Sequence, residues 1–490
     1  MNVGKPKVKK VLESYGTVNI LKVEGSSIPL YSINFPKLSE EEQRLLVEAR
    51  ERVRSESKEE PMGIPLPKRR DFFVEEISGM MEKLGKKIPP KRKKFLAGLL
   101  TDECVGYGPI EPMLADENLE DIMIIGVGMP VYVFHQKYGM CSSNVIFRDE
   151  TVLRGLMEKA SLDAGRRRID IHSPLLDTRM PDGSRLNLII PPISITGPVV
   201  SIRRFRKQAL NIVDLIKLGT LSVNAGAFLW LLVEGMGVRP SNLLIAGGTG
   251  CGKTTTLAAL SIFVPERERV VSIEDPAELH IPHGHWIRLE TRLPAESLEE
   301  VTLTQLVKNA LRMRPDRLII GEARGPEIPD VFAAFSGNVG CMSTIHTNTT
   351  AEETLARLTT HPVKVPELLL SALDAVIMEH RLYLSGQKHV RRITEIAEIA
   401  GMEENRVKLN RTHRWDPAKD ELQVVDTPSL TTKQISKLSG MSRNRVNREL
   451  KQRGKILKWM VEKSLTTEEI YKKVQEYYSE PKAVLKEIGR

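Results

Sequence analysis

The sequence predicts an α/β fold in which an α+β domain precedes a parallel-sheet domain and a helical region follows it. Between residues 242 and 385, short apolar runs alternate with helical patterns, and strands that alternate with helices form parallel sheets. From residue 73 to 205, strand-like runs separated by Gly and Pro turns mix with helical stretches, as in an α+β domain. After residue 425 the pattern is helical.

The hydrophobic pattern also predicts where the chain divides. Near the start, the strand-like runs Thr17 to Val23 and Leu30 to Ile33 precede a charged helix and a charged, Pro-bearing connector. A chain of 490 residues is long enough for two to four domains. The predicted divisions are a small N-terminal region with its linker, the α+β domain, a short linker, the parallel-sheet domain and the helical C-terminal region: 1–72, 73–205, 206–212, 213–425 and 426–490.

Composition narrows the class of protein. Hydrophobic residues make up 41% and charged residues 28%, as in ordinary globular domains. No stretch reaches the roughly 18 apolar residues of a membrane helix, so any membrane contact is expected to be peripheral. The four cysteines are far apart in the sequence, which predicts a reducing compartment and neither a disulfide framework nor a zinc site.

The formal charge of +9 is concentrated in short basic runs. Such runs suit acidic lipid heads, nucleotides or nucleic acid, and a solvated surface is an equally good explanation for any one of them. The runs are Lys68 to Arg70, Lys91 to Lys94, Arg166 to Arg168 and Arg203 to Lys207.

A phosphate-binding loop is the strongest motif in the sequence. The segment GGTGCGKT fits GxxxxGK[ST], follows the apolar run Leu243 to Ala246 and precedes the helical run Thr255 to Ile262. Glycines let backbone N–H groups close around phosphates, a Lys supplies a point charge and a Thr hydroxyl can bind magnesium. A Gly-rich turn is the alternative, but the flanking strand and helix argue against it. The predicted nucleotide-binding residues here are Gly247, Gly248, Thr249, Gly250, Cys251, Gly252, Lys253, Thr254 and Thr255.

Acidic residues follow two further predicted strands. The strand Val270 to Ile273 runs into Glu274 and Glu278, and the strand Arg317 to Ile320 leads to Glu322. Carboxylates at the carboxyl edge of a parallel sheet can hold magnesium or orient the attacking water. Taken alone, the first acidic segment is more typical of a solvated turn. P-loop NTPases usually have an Asp at the end of the second of these strands, where this chain has Gly followed by Glu.

A fourth predicted strand, Cys341 to Ile345, leads to His346, Thr347 and Asn348. These side chains are donors able to sense a γ-phosphate. A lone His is usually a structural residue, so His346 becomes a candidate only through its place in the series of strand ends.

These motifs together resemble the secretion ATPase superfamily, which includes type II secretion, type IV pilus, archaellum and type IV secretion motors. The resemblance covers about residues 100 to 425. Further segments look most like the archaeal branch: RLTTHPVKVP, RRITEIAEI and RWDPAKDEL. The motifs that carry the resemblance are GGTGCGKTTT, SIEDPAE, LRMRPDRLIIGEARG and STIHTN, with YGPIEPMLAD, GRRRID, RMPDGSRLN and LGTLS upstream.

The resemblance implies a hexameric ring whose protomer has a PAS-like N-terminal domain, a hinge near Arg204 to Asn211 and a RecA-like motor domain with a helical C-terminal extension. It implies ATP and Mg²⁺ as cofactors, bound by Lys253 and Thr254, with Glu322 as the acid that holds the metal directly or through water. Glu274 and Glu278 match two further family acids. Which acid is the general base stays open, with Glu322 favoured.

Arginines of the N-terminal domain contact the nucleotide phosphates in this family. The planar guanidinium group of Arg can stabilise the negative charge that develops on phosphate oxygens during the reaction. The alternative role for these arginines is to form salt bridges at the domain interface. The matching candidates are Arg179, Arg185, Arg203 and Arg204.

The resemblance implies a cytoplasmic motor, peripherally associated with the membrane, that assembles a pilus-like or archaellum-like filament or drives type II-like secretion. The expected partners are a polytopic membrane platform protein and, indirectly, pilin-like subunits. Contact between the basic N-terminal half and anionic lipid is a further hypothesis. The sequence departs from the family at Ser336 to Gly340, where many relatives have a Gly-His pair, and it lacks the four-Cys zinc module of the bacterial pilus branch.

Three alternatives stay open. A conjugation-like type IV secretion ATPase fits the same motifs, whereas a structural ring without hydrolysis is disfavoured by the intact Lys253, Thr254 and Glu322. A nucleic-acid-linked ATPase is suggested by residues 430–450, which resemble a helix-turn-helix with Gly440 at its turn. Against a nucleic-acid partner, any helical hairpin mimics this pattern, and helical extensions in the family have no DNA role that the sequence supports.

Overall fold

The structure is a computed structural model. It describes residues 7–35, 37–56, 66–84, 88–163, 169–204, 210–292, 299–337, 339–360, 363–384, 388–403 and 406–489. The basic run Arg166 to Arg168 and most of the predicted linker lie outside these residues. The chain divides into two compact units, Met1–Lys207 and Gln208–Arg490. No helix within the described ranges is long and apolar enough to cross a membrane.

The described part of the first unit contains one nine-stranded sheet, ordered β1-β2-β3-β6-β5-β4-β9-β8-β7. The strands are β1 (Val8–Tyr15), β2 (Val18–Val23), β3 (Leu30–Ile33), β4 (Leu119–Ile124), β5 (Pro130–His135), β6 (Gly139–Ile146), β7 (Leu175–Arg179), β8 (Arg185–Ile189) and β9 (Val199–Arg203). The helices are α1 (Glu40–Glu56), α2 (Leu66–Lys83), α3 (Pro90–Cys104), α4 (Glu111–Ala115) and α5 (Glu150–Asp163), with a 3₁₀ turn at Gly108–Ile110.

Two hydrophobic clusters stabilise this unit. Alternate residues of β2 to β9 are buried with α4 and α5, as expected for strands with one covered face. A smaller cluster joins α1, α2 and α3 through Leu45, Ile77 and Leu96. The strand predictions near the start are confirmed, and β3 pairs with β6 at Leu30 and Ser142, so the first strands belong to the same sheet as β4 to β9.

The described part of the second unit also contains a nine-stranded sheet, ordered β12-β11-β13-β14-β10-β15-β16-β17-β18. The strands are β10 (Leu243–Gly247), β11 (Val270–Glu274), β12 (Trp286–Glu290), β13 (Arg317–Ala323), β14 (Gly340–His346), β15 (Ala375–Leu384), β16 (Lys388–Glu403), β17 (Arg406–Asp416) and β18 (Glu421–Val424).

The helices of the second unit pack in two hydrophobic clusters, on both faces of this sheet. They are α6 (Ile212–Lys217), α7 (Val223–Glu234), α8 (Lys253–Ser261), α9 (Leu303–Ala310), α10 (Ile328–Phe335), α11 (Ala351–Thr359), α12 (Glu367–Leu370), α13 (Leu430–Ser439), α14 (Arg443–Lys463), α15 (Thr467–Ser479) and α16 (Pro481–Ile488), with 3₁₀ turns at Gly235–Gly237, Leu311–Met313 and Gly325–Glu327. The predicted capping box of Thr466 and Glu469 at the start of α15 is confirmed.

The predicted parallel sheet between residues 242 and 385 is confirmed, and the sheet continues beyond it with antiparallel strands. Strands β10 to β15 are parallel, but β16, β17 and β18 pair antiparallel beyond β15. Only residues 385–387 separate β15 from β16. A connection that short can join antiparallel strands, whereas a parallel pair needs a crossover of a dozen or more residues. The sheet is therefore mixed.

The C-terminal helices share the core of the second unit. Trp230 on α7 stacks on Phe263 with ring centroids 4.9 Å apart, and its indole N–H donates a hydrogen bond to the Tyr478 hydroxyl at 2.8 Å. The apolar face of α14, including Ile456 and Leu457, is buried in the same cluster. Residues 430–488 are therefore held against the sheet domain by packing and by side-chain hydrogen bonds.

A buried ion pair joins α14 to α7. Arg453 is 2% exposed, and its Nη2 donates to the Glu234 carboxylate at 2.8 Å. Burial raises the pKa of Glu234, while the Arg453 charge opposes that rise. Removing one partner of such a pair leaves the other charge buried without compensation.

We therefore expect Arg453→Ala to lower the free energy of unfolding of the full chain by about 3 kcal/mol or more. Urea unfolding followed by circular dichroism at pH 8 measures the change. The loss should shrink at pH 5, because Glu234 then takes up a proton at smaller cost. The exposed Lys458 on the same helix supplies the control, and Lys458→Ala should stay within about 0.5 kcal/mol of the wild type. Equal effects of the two substitutions would refute the anchoring role of Arg453.

Candidate functional site

The predicted phosphate-binding loop connects the carboxyl end of β10 to the start of α8. Strand β10 is buried throughout and ends at Gly247, and α8 begins at Lys253. Gly250 and Gly252 have φ angles of 69° and 119°, a left-handed region that favours glycine. The strand, loop and helix that the sequence predicts here are confirmed.

Two loop glycines allow close approach of neighbouring segments. A Cβ atom on Gly247 would lie 2.1 Å from the carbonyl oxygen of Glu379 on β15. A Cβ atom on Gly248 would lie 2.0 Å from Oδ1 of Asn348. The loop backbone is therefore packed between β15 and the segment after β14, and no larger residue fits at Gly247 without moving main chain.

Lys253 points into the loop. Its Nζ donates to the carbonyl oxygens of Gly247 and Gly248, each at 3.1 Å, and the residue is 8% exposed. Thr254 and Thr255 lie half-buried in the first turn of α8, where free backbone N–H groups and the helix dipole favour an anion. A buried ammonium beside these amides is suited to bind phosphate.

The parallel pairing brings the other predicted residues to the same edge of the sheet. Gly247 is opposite His346 at the end of β14, and Ile273, one residue before Glu274, is opposite Ile320 on β13. Because the carboxyl ends of parallel strands meet at one edge, the acids and His346 lie along the edge that carries the phosphate loop.

Glu274 is buried and holds the turn that follows β11. Its Oε2 accepts backbone N–H hydrogen bonds from Glu278 at 2.6 Å and Leu279 at 2.8 Å. Burial raises its pKa, and the two backbone hydrogen bonds oppose that rise. Its Oε1 has no hydrogen-bond partner among the described residues. Glu278, by contrast, is exposed.

Glu322 lies on a β-bulge. Ile320 is opposite Ser343 but Ala323 is opposite Ile345, so β13 has one more residue than β14 over this stretch. Bulges re-aim side chains next to functional sites. The Glu322 carboxylate is 20% exposed and accepts a hydrogen bond from Arg324 Nη2 at 2.6 Å.

The segment after β14 contacts the loop through its backbone. Thr347 N–H donates to the carbonyl oxygen of Gly247 at 3.0 Å. His346 is exposed at the strand end, and Asn348 lies against Gly248. All three predicted donors are therefore at the edge of the phosphate loop.

The four predicted arginines belong to the first unit, Met1–Lys207. Arg185 is opposite Arg179 on β7 and opposite Arg203 on β9, so these three side chains are neighbours on one face of the sheet. Arg185 lies 3.7 Å from the Asp177 carboxylate. Arg204 donates to the backbone carbonyl of Asp116, and burial lowers its pKa.

Two residues beside the phosphate loop, Glu379 and Arg391, are missing from the sequence-based prediction. Glu379 on β15 is fully buried next to the phosphate loop and accepts a hydrogen bond from Thr256 at 2.9 Å. Arg391 on β16 donates from Nε to the carbonyl oxygen of Gly250 at 2.9 Å. For Glu379, the only indication in the sequence was a charged residue directly after the apolar run Ala375 to Met378. That indication could be used only if β15 had first been predicted as a strand next to β10.

These residues fit a nucleotide and its metal. The loop excludes side chains at Gly247, and Lys253 and the α8 amides offer positive groups to phosphate oxygens. Thr254 supplies a hydroxyl oxygen beside them. In the described residues there is no group of three His, Cys, Asp or Glu side chains that could hold a metal ion. Magnesium commonly binds through one or two protein groups together with substrate phosphates, which suits Thr254 and Glu322.

Comparison with known proteins adds sequence relatives. The uncharacterized protein MJ0900 of Methanocaldococcus jannaschii is 32% identical over 400 residues, covering 80% of this chain and 71% of that protein. The uncharacterized protein MJ0781 of the same organism is 45% identical over 240 residues, 48% of this chain but only 33% of its own length. The type IV secretion system protein VirB11 of Bartonella henselae is 28% identical over 289 residues, 51% of this chain and 80% of that protein.

A solved structure of the pilus retraction motor PilT with bound ADP aligns with 77% of this chain and 95% of its own, at 17% identity and a TM-score of 0.44. The family description "Type II/IV secretion system protein" matches residues 103–472, which include both the arginine-bearing strands and the whole phosphate-loop edge. The chain therefore belongs to the type II/IV secretion system protein family.

Proposed function

We propose that this protein is an ATP-hydrolysing motor of a hexameric ring that powers assembly of a pilus-like or archaellum-like filament or type II-like secretion. The single observation that carries the proposal is the meeting of the Lys253 loop and the bulged Glu322 at one edge of the sheet. Membership of the secretion family supports it.

Each residue at this edge has a role that its contacts allow. Lys253 and the α8 amides would bind the β- and γ-phosphates of ATP, and Thr254 would bind Mg²⁺. Glu322 would orient the attacking water and accept its proton. Glu274 is less suited to act as general base because its Oε2 already accepts two backbone hydrogen bonds, so Glu278 is the remaining alternative.

The first unit would supply arginines to the nucleotide. Arg179, Arg185 and Arg203 form a row of positive charge, which suits the charge that develops on a transferred phosphoryl group. Arg204 is bound to a backbone carbonyl within its own unit. In this proposal, the PAS-like unit closes on the RecA-like unit about residues 206–212 and reopens after product release.

The cytoplasmic face of a membrane is the proposed location. A polytopic platform protein would receive the motion and pass it to pilin-like subunits. Contact with anionic lipid has weaker support than the sequence suggested. Within the run Lys91 to Lys94, Arg92 pairs with Glu42 and Lys93 with Glu82, so two of its four charges are neutralised inside the first unit.

ATP turnover by the purified full chain tests the proposal. Activity should rise with protein concentration, because a ring completes sites between neighbouring protomers. Lys253→Ala should abolish turnover by weakening ATP binding, and Glu322→Gln should bind ATP but cleave it about a thousandfold more slowly. Assays with and without phospholipid vesicles measure any lipid requirement. ATP binding by the wild type without hydrolysis under every condition would overturn the motor assignment.

A second candidate function, nucleic-acid binding, gains support from the C-terminal helices. Helix α13 ends at Gly440, which has a φ of 68°, and α14 begins three residues later. Ile435 and Val446 are buried between them, while Arg443, Arg445 and Arg448 are exposed. An α-helix of about 10–12 Å diameter fits the major groove of B-DNA, which is about 12 Å wide.

Binding of the full chain to a 30-base-pair duplex tests this second candidate. The full chain is needed because α14 shares its core with the sheet domain. Arg445→Ala with Arg448→Ala should weaken binding about tenfold or more at low salt and reduce the salt dependence by about two phosphate contacts. Lys472→Ala, an exposed charge on α15, is the control. If the wild type does not bind the duplex at low salt, or if the double arginine variant and Lys472→Ala lose equal affinity, the nucleic-acid proposal is refuted.

A further inference from the structure

A buried carboxyl group lies directly beside the phosphate loop and has no role in the proposed ATP hydrolysis. Glu379 is opposite Gly247 in the parallel pairing of β15 with β10, and its exposed fraction is 0%. A carboxyl group is rarely buried to this extent unless it is paired or neutral.

The Glu379 side chain contacts the loop and the first turns of α8. Its Oε2 accepts a hydrogen bond from the Thr256 hydroxyl at 2.9 Å, and the Thr256 backbone N–H donates to the Gly252 carbonyl at the same distance. Its Oε1 lies 2.4 Å from the position of a Cβ atom on Gly252 and has no hydrogen-bond partner among the described residues. A change in this carboxyl therefore acts directly on the loop.

Two cations of the site face the same carboxyl group. Lys253 on α8 and Arg391 on β16 both favour its charged form, but burial outweighs them and raises the pKa of Glu379 to about 7. Arg391 also binds the Gly250 carbonyl at 2.9 Å. The nearby Cys251 thiol stays neutral, because burial raises its pKa to about 11.

We propose that Glu379 is a positioning residue of the nucleotide site, and that its carboxyl group must be neutral for the loop to hold nucleotide phosphates. The inference rests on the proposed nucleotide-binding function and deepens it. An ionised Glu379 would compete with the phosphates for Lys253 and Arg391. It would also repel the phosphates across a short distance in a poorly solvated region, where Coulomb interactions are strong.

The affinity for ATP should depend on pH, because protonation of Glu379 is coupled to ATP binding. Below about pH 7 the Glu379 carboxyl is already protonated, so ATP binds with its full affinity. Above that pH, binding requires uptake of a proton, and affinity should fall by up to about tenfold for each further pH unit. Changes in the ionisation of ATP itself affect every variant equally and cancel in the comparison.

Isothermal titration of the full chain with Mg²⁺ and a non-hydrolysable ATP analogue from pH 6.0 to pH 8.5 tests the proposal. Glu379→Gln keeps the shape of the side chain and an oxygen that can accept from Thr256, but it does not titrate. This variant should match the wild type near pH 6 and bind at least tenfold more tightly near pH 8.5. Glu421→Gln, at an exposed position of β18 in the same sheet, should follow the wild type throughout. Parallel profiles for wild type and Glu379→Gln would overturn the inference.

Thr256→Val tests whether Glu379 acts through its protonation state. If Glu379 had only a structural role, this substitution would not shift the midpoint of the pH profile for ATP binding. The valine removes the hydrogen bond that favours ionised Glu379, so the midpoint of the pH profile should shift upward. At pH 6, where Glu379 is protonated in both proteins, the KM for ATP should rise by about fivefold while kcat changes little, because the loop loses one positioning contact. Circular dichroism melting confirms that the variant is folded. A folded Thr256→Val protein with an unshifted midpoint would contradict the role of Glu379.

The outcomes separate this inference from the proposed function. If the wild type binds ATP with the expected pH profile but never hydrolyses it, the motor proposal fails and the Glu379 role stands. If the wild type hydrolyses ATP and its affinity has the same pH profile as that of Glu379→Gln, the Glu379 role fails alone. A wild type that does not bind ATP at any pH overturns both.

Discussion

The contact between the backbone of the phosphate loop and strand β15 is the constraint on which the site depends. At Gly247 the loop leaves β10 between β14 on one side and β15 on the other, and a Cβ atom there would overlap the carbonyl oxygen of Glu379. Because Gly247 pairs with Glu379 on β15, the loop lies next to side chains of β15 and β16. Glu379 and Arg391 consequently contact or adjoin the phosphate loop even though they lie more than 120 residues from the motif.

Glu274 and Glu322 lie along the same sheet edge but have different surroundings. The Glu274 carboxylate accepts backbone hydrogen bonds in the turn after β11. Glu322, by contrast, lies on a β-bulge, which interrupts the regular alternation of side chains along β13. Arg324 donates to Glu322 and adds a positive charge close to where phosphates are proposed to bind. Geometry, more than residue type, distinguishes a structural carboxylate from a candidate catalytic one here.

Buried ion pairs hold the second unit together away from the site. Arg453 joins α14 to α7 through Glu234, and Arg317 at the start of β13 pairs with Glu268. Burying such charges costs free energy unless the partners are present, so these pairs fix one arrangement of the helices around the sheet. The C-terminal helices are thereby attached to the unit that contains the phosphate loop.

Local sequence alone determined the phosphate loop, the strands that flank it, the acids and His346 at their ends, and the capping box of α15. Each of these depends on residues within a few positions of one another, where spacing and glycine content are decisive. Only the tertiary structure decided that β16 to β18 extend the sheet antiparallel, that β3 joins the first sheet beside β6, and that Glu322 sits on a bulge. It also decided the burial of Glu379, because pairing between distant strands, and not any local pattern, sets which polar side chain is enclosed.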